Sequence, residues 1–483
     1  MVATQQGSFE GALENGAYGF RGIPYAEAPL GPLRWRPPLP AAAHSGVRKA
    51  LAFGPVCPQP EVSGPVDEDC LSLNVWSPGI DAAARPVMVW IHGGGFRAGS
   101  GIVPGEQFAA QGVTFVSLNY RLGPLGFFSH PALGGEAANF GLMDMVLALE
   151  WVRDNIAAFG GDPERVTIFG ISAGGMAVSL LLVSDAAKGL FHGAIAQSGY
   201  GSWALPRTGN APEPAPLGMA LASAPSAETL AQQLIERVKP STQKARELRE
   251  LDALWLTGAV QGFHLPVVDG VTIREEPGIL FLAGRHHDVP VITGGASFEG
   301  SVMPYSGISQ EQYKREWGNQ FDAARLLYQQ DFERDPGRGV QRMFGDNRYL
   351  LAARVLAAGM HGKASPVWLY YLDTPVVEPL HDSPGAPHGY DGRLLFQASE
   401  ITDAGHRSLA HRLTGYWLDF ARSGDPNGGS RLHWPANRAE QDNWLVFGIE
   451  DTARRGVIRK RLDFLEARYR KRIGPAAALE DMP

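Results

Sequence analysis

Cysteine is almost missing from this sequence: two occur in 483 residues, Cys57 and Cys70, thirteen positions apart across a stretch rich in proline and acid. Two readings stand. The pair is one bridge closing a surface loop, or it is two separate thiols of a reducing compartment, where bridges are rare. The first favours a secreted or periplasmic protein with its leader removed, the second the cytoplasm. A leader is itself lacking at the start, because Met1–Gly16 is polar, with no basic segment and no apolar run. No N-x-S/T sequon occurs. No apolar run approaches the roughly 18–20 residues of a membrane helix, and the longest, Met176–Val183, is interrupted by Ser179. Basic charge has no excess either. Lys and Arg total 43 against 50 Asp and Glu, for a formal charge of −7. A pI near 6.0 removes the electrostatic reason to expect a nucleic-acid partner. Internal repeats, charge blocks and Ser/Gly linkers are also lacking, so residues 1–483 read as one domain.

What is present is apolar and glycine-rich. Hydrophobic residues make up 44% and aromatics 10%, enough for a large core and too much for a mostly disordered chain. Short apolar runs alternate with helical patterns, the sign of a largely parallel sheet with helices on both faces. The strands read as Pro86–Ile91, Val113–Leu118, Val166–Phe169, Gly193–Ala196, Val289–Ile292 and Val367–Leu372. Helical spacing appears in Leu142, Met145, Leu149, Val152 and Ile156, and again in Leu409, Leu413, Trp417 and Phe420. Segments 201–260 and 301–350 read as insertions forming a lid or gorge, the first containing an unpatterned Pro/Ala-rich stretch from Arg207 to Pro225.

Two glycine motifs carry chemistry. Gly170-Ile-Ser172-Ala-Gly174 follows one strand and opens a helix. A sequence with 59 Gly and 26 Ser yields about 0.4 such matches by chance, so context decides. A tight strand-to-helix turn exposes the Ser172 hydroxyl, and the helix N-terminus favours developing negative charge. His92-Gly93-Gly94-Gly95-Phe96, directly after another strand, lets backbone N–H groups converge on one point. The N–H groups of Gly94, Gly95 and Ala173 are the candidate oxyanion donors.

These motifs do not stand alone. Phe20-Arg-Gly-Ile-Pro-Tyr25, Glu68-Asp-Cys-Leu-Ser-Leu-Asn74, Asn119-Tyr-Arg-Leu-Gly-Pro-Leu-Gly-Phe127, Phe159-Gly-Gly-Asp-Pro163 and Phe420-Ala-Arg-Ser-Gly-Asp-Pro-Asn427 follow in order. Together they resemble the type-B carboxylesterase and cholinesterase family, over roughly residues 3–448. The resemblance implies an α/β-hydrolase fold and a serine hydrolase acting on small-molecule carboxylic esters, with no metal or organic cofactor and no nucleic-acid partner.

The resemblance also implies the remaining catalytic residues. The family's acid falls on Glu299 in Gly294-Gly-Ala-Ser-Phe-Glu-Gly300, where Phe298 replaces the usual Asp, and its base falls on His388 in Gly385-Ala-Pro-His-Gly389. The chain order Ser172, Glu299, His388 is that of α/β-hydrolases. By the same resemblance, Cys57–Cys70 is a disulfide, Arg34–Glu68 and Arg121–Asp144 are buried ion pairs, and Ser198 supports the triad from behind. Phe96, Ile171, Tyr200 and Trp203 are candidate pocket walls. Ile171 stands where the family usually has Glu, which favours neutral or bulky anionic esters over cationic ones. An amide or carbamate hydrolase with the same triad is the alternative, and a non-catalytic binding domain a more distant one.

Overall fold

The computed structural model of the chain describes residues 1–60, 62, 64–209, 211, 225–240, 242, 244–374 and 383–474. A small sheet, β1 (Val2–Thr4), β2 (Gly7–Glu10) and β5 (Val47–Lys49), sits beside the main one. The main sheet has eleven strands: β3 (Ala12–Glu14), β4 (Ala17–Pro24), β6 (Ser72–Ser77), β7 (Arg85–Ile91), β8 (Thr114–Leu118), β9 (Gly161–Ile171), β10 (Gly193–Gln197), β11 (Val291–Ala296), β12 (Val367–Leu372), β13 (Asn443–Phe447) and β14 (Thr452–Arg455). Their spatial order is β14-β13-β12-β11-β10-β9-β7-β8-β6-β4-β3. Pairings from β8 through β7 and β9 to β13 are parallel, and those at both flanks antiparallel. This is the α/β-hydrolase arrangement expected.

Alternation along the strands divides the core into two layers. Val87, Val89 and Ile91 of β7 join one apolar cluster, while Met88 and Trp90 join the other. Both faces are covered by helices, so β8, β10, β11, β12 and β13 are buried along their whole length and β9 over Val166–Gly170. The helix Phe140–Asn155 buries its Leu142, Met145, Leu149 and Val152 stripe, and Ala404–Ser423 buries Leu409, Leu413, Trp417 and Phe420 on the opposite side. The Val166 strand extends to Gly161–Ile171, and the Val289 strand is displaced to Val291–Ala296. Pro290 explains the second shift: it has no N–H to give the ladder, and its carbonyl instead accepts from Ala194.

Of the segment 201–260, the parts 210, 212–224, 241 and 243 lie outside the described residues, including most of the Pro/Ala-rich stretch. The remainder carries helices Ala227–Val238, Ala245–Arg249 and Ala253–Gly258, whose Leu234, Leu248 and Leu256 pack with Trp35, Phe128 and Phe140 in a satellite core. Segment 301–350 is helical, with Gln310–Trp317, Phe321–Leu327, Gln329–Arg334 and Pro336–Gly345 followed by a π-helical turn at Asp346–Leu350.

The sequence signatures away from the catalytic motifs hold the loops together. Arg121 donates from its backbone N–H, Nε and Nη2 to Asp144, and both side chains are buried. Arg34 forms a two-point pair with Glu68 and adds an Nη1 bond of 2.6 Å to the Leu251 carbonyl. Between these pairs lies the Cys57–Cys70 disulfide, with Cα atoms 5.0 Å apart. Closing a loop of sequence separation 13 stabilises by about 3 kcal/mol in the chain-entropy account. Urea unfolding of the Cys57→Ser/Cys70→Ser protein is therefore expected to show a loss of that size with an intact native sheet. A loss below about 1 kcal/mol would show that the loop is held without the bridge.

Candidate active site

Ser172, Glu299 and the Gly94–Gly95 loop follow the carboxyl ends of β9, β11 and β7, where open α/β sheets place their ligands, and His388 lies in the loop before the helix Tyr390–Phe396. Ser172 follows β9 and precedes the helix Ala173–Leu181, with φ 58° and ψ −118°, a strained conformation for a residue with a side chain. The turn is held by Ser172 N–H donating to the Gln197 carbonyl at 2.9 Å and by Met176 N–H donating to the Ser172 carbonyl at 2.8 Å. Its flanking glycines are needed for approach. A Cβ on Gly174 would lie 2.0 Å from the Ile91 carbonyl oxygen, and one on Gly170 2.6 Å from the same atom. The turn therefore packs directly on the end of β7.

The glycine loop after β7 closes over Ser172. A Cβ on Gly93 would be 3.3 Å from the Ser172 Cβ, and Gly94 has φ 107°, which only glycine adopts freely. The Gly94 carbonyl accepts from Arg97 and Ala98, and that of Gly95 from His264, fixing both peptide planes. Ala173 is the first helical residue, so its N–H has no intrahelical acceptor. His92 anchors the loop: its ring stacks on Tyr120 at 4.3 Å, and burial lowers its pKa to about 4, so it is neutral at pH 7.

Glu299 and His388 meet across 89 residues of chain through a backbone clamp. Ser297 N–H donates to the Leu372 carbonyl at the end of β12, Phe298 N–H to the Ala386 carbonyl, and Ala386 N–H back to Ser297 Oγ. His388 N–H then donates to Ser301 Oγ at 2.8 Å. Within this clamp His388 Nδ1 is hydrogen-bonded to Glu299 Oε2. The other carboxylate oxygen accepts from Ser198 Oγ and Ala296 N–H, each at 2.6 Å. Ser198 does support the acid, as expected. His388 Nε2 is buried with no hydrogen-bond partner, and Ser172 makes no hydrogen bond to it. The Phe298 ring lies under the Arg342 guanidinium at 4.8 Å, and Arg342 donates to the Ser297 and Pro384 carbonyls.

The proposed walls divide. Phe96 is fully buried, edge-on to Phe127 at 4.9 Å and to Tyr200 at 6.5 Å. Tyr200 and Trp203 lie on one aromatic surface with Tyr349 and Phe344. Ile171 lies beside the helix Tyr390–Phe396 that follows His388, where a Cβ on Gly392 would be 3.3 Å from its Cδ1.

Several residues have no signal in the sequence. Asp391 is buried, accepts from Gln197 Nε2 at 2.9 Å and Tyr370 hydroxyl at 2.6 Å, and has its pKa raised by burial. It links the helix after His388 to the same Gln197 that holds the Ser172 turn. Tyr349 lies 4.6 Å from the His388 ring, Phe263 crowds Gly95, and the buried Arg348 stands among these rings. A cavity of about 340 Å³ lined by Phe127, Ala231, Leu234, Val260, Phe263 and His264 adjoins this region without including a triad residue. Among the described residues, no group of three or more His, Cys, Asp or Glu could hold a metal ion, and no helix is long and apolar enough to cross a membrane.

Comparison with known proteins agrees with this geometry. Residues 1–465 match the model of the carboxylesterase family. The chain belongs to the carboxylesterase family. It is 34% identical to the para-nitrobenzyl esterase of Bacillus subtilis, over 94% of this chain and 95% of that protein. It is 33% identical to the fumonisin B1 esterase of Sphingopyxis macrogoltabida, over 89% and 83%. Among solved structures, a Geobacillus stearothermophilus carboxylesterase at pH 6.2 superposes with a TM-score of 0.82, at 31% identity over 96% of this chain and 99% of that one. This carboxylesterase is thus a carboxylic-ester hydrolase by family. If Ser198 holds Glu299 in place, Ser198→Ala removes one of two donors to Oε1. The expected loss is about 1 kcal/mol, a five- to tenfold fall in kcat measured on a chromogenic ester. A kcat within twofold of wild type would mean that the Ala296 N–H suffices.

Proposed function

We propose that this chain hydrolyses small carboxylic esters, neutral or bulky and anionic, through a Ser172–His388–Glu299 triad and a covalent acyl-enzyme. The observation that carries the reading is the Glu299–His388 pair, whose Nε2 stays unpartnered at the same sheet end as the strained Ser172 turn. His388 Nε2 takes the Ser172 proton as Oγ attacks the ester carbonyl. The C–O bond to the alcohol then breaks, and that proton passes to the leaving alkoxide. Water repeats the cycle on the acyl-enzyme, releasing the carboxylic acid and restoring Ser172. Glu299 holds the imidazole with Nδ1–H towards the carboxylate and stabilises the imidazolium. The N–H groups of Gly94, Gly95 and Ala173 stabilise the oxyanion, each worth about 3 kcal/mol. Two similar proteins are named as esterases, of para-nitrobenzyl and of fumonisin B1, and a third, 34% identical, is named phenmedipham hydrolase, so an amide or carbamate hydrolase with the same triad stays the alternative. A panel of chromogenic esters, amides and carbamates, with a phosphonate control directed at Ser172, separates these leaving groups.

Ser172→Ala is expected to fold and to lose at least a thousandfold in kcat, because the covalent route is gone while the oxyanion donors remain. A variant keeping a tenth of wild-type turnover would overturn the assignment. Glu299→Gln should also fold and lose activity heavily.

Ile171 sets a second expectation. With no acid at this position, a cationic substrate loses a Coulomb attraction of about 1–4 kcal/mol, depending on effective dielectric. Butyrylthiocholine should therefore be cleaved at least tenfold less efficiently, in kcat/KM, than a neutral thiobutyrate of equal bulk. Equal efficiencies would refute the reading.

A further inference from the structure

Arg348 is fully buried, at 1% exposure. It lies in the π-helical turn Asp346–Leu350, an irregularity that often accompanies functional sites. Its guanidinium is enclosed by rings, with Cζ 4.4 Å from the centroid of Tyr200, 4.3 Å from Trp203, 5.3 Å from Phe263, 5.8 Å from Phe344 and 5.8 Å from Tyr349. Yet Nε and Nη2 are buried without any hydrogen-bond partner, and no carboxylate among the described residues pairs with it.

That makes it an exception in this chain. Arg34, Arg121, Arg342 and Arg472 are also largely buried, and each meets a carboxylate: Glu68, Asp144, Asp331 and Glu276. The carboxylates nearest in influence to Arg348 are committed or apart. Glu299 is occupied by His388, Ser198 and Ala296, and Glu316, whose pKa burial raises against smaller opposing pulls from Arg468 and Arg348, forms no ion pair with Arg348. Burial raises the pKa values of Tyr200 and Tyr349 and Arg348 opposes that rise, so their hydroxyls lie within its reach, but stacking and hydroxyls leave the guanidinium without a carboxylate. Nε and Nη2 form the side edge of the guanidinium, which takes both oxygens of one carboxylate.

Position selects the ligand. Tyr349, the next residue, lies 4.6 Å from the His388 ring, and Tyr200 comes two residues after Ser198. The rings around the guanidinium are buried at Tyr200, Phe344 and Tyr349 and half-buried at Trp203 and Phe263. We propose that Arg348 binds a free carboxylate at the far end of the substrate's acyl chain, so that the preferred substrates are monoesters of short dicarboxylic acids. This inference rests on the triad reading and assigns the acyl side of the same site.

The test uses aryl monoesters of succinic, glutaric and adipic acid, each against a neutral ester in which an acetyl group replaces the terminal carboxylate. The wild type should favour the best charged ester over its neutral counterpart at least tenfold in kcat/KM. In Arg348→Met that ratio should fall to one or below. Because the ratio is taken within one protein, a smaller folded fraction does not affect it. Arg348→Lys keeps the charge without the two-point edge and should fall between, which provides the test if the Met variant fails to fold. A wild-type ratio near one, or a ratio unchanged in both variants, would overturn the proposal while leaving the triad reading intact. If the wild type cleaves neither kind of ester, the triad reading falls. Calorimetric titration of the free dicarboxylates into wild type and Arg348→Lys then decides the site: binding weakened in the variant supports it, and absent or equal binding overturns it.

Discussion

The clamp between the turn after β11 and the loop before the helix Tyr390–Phe396 is the constraint on which the candidate site depends. Ser297 and Phe298 hold Ala386 by backbone and side-chain bonds, and Ser301 holds the His388 N–H. Glu299 and His388 are thereby paired by main-chain geometry before their side chains interact. A pair fixed this way needs little reorganisation when charge moves onto the imidazole, which is the condition for electrostatic catalysis to be efficient. Phe298, under the Arg342 guanidinium, ties the same turn to the helix Pro336–Gly345.

A second tie runs through Gln197. Its carbonyl accepts from Ser172 N–H, its side-chain amide donates to Asp391, and its amide oxygen accepts from Trp417 Nε1. One glutamine thus couples the strained serine turn, the helix following the histidine and the long helix Ala404–Ser423. Asp391 is a buried acid met by hydrogen-bond donors, with no cation beside it, so burial raises its pKa. Glu299 adds to that rise and His388 opposes it, so Asp391 lies within electrostatic reach of the candidate catalytic pair.

The proposed acyl side is built on a different principle. Ser172 and Glu299 come from strand ends, whose spacing is set by the sheet, and the clamp brings His388 to them. The aromatic enclosure around Arg348 combines Tyr200 and Trp203 after β10, Phe263 from the segment before β11, and Phe344 and Tyr349 from the helical insertion. Substitution in the insertion can alter such an enclosure while the sheet, and with it the Ser172, Glu299 and His388 positions, stays in place.

The sequence by itself determined the fold class and the motif-bearing turns, because both are local. Strand and helix periods follow from alternating burial, and a Gly-x-Ser-x-Gly turn is required where Ser172 passes Ile91. Glu299 and His388 were legible only by resemblance, since nothing local distinguishes one acid among 50 or one histidine among 13. Tertiary structure alone brought Arg348 among five rings and placed Tyr349 against His388. Phe344 and Tyr349 are neighbours of Arg348 in sequence, but its contacts with Tyr200, Trp203 and Phe263, and that of Tyr349 with His388, join residues tens to more than a hundred positions apart, where periodicity carries no information. Whether a buried arginine is paired depends on which carboxylates the whole fold places beside it.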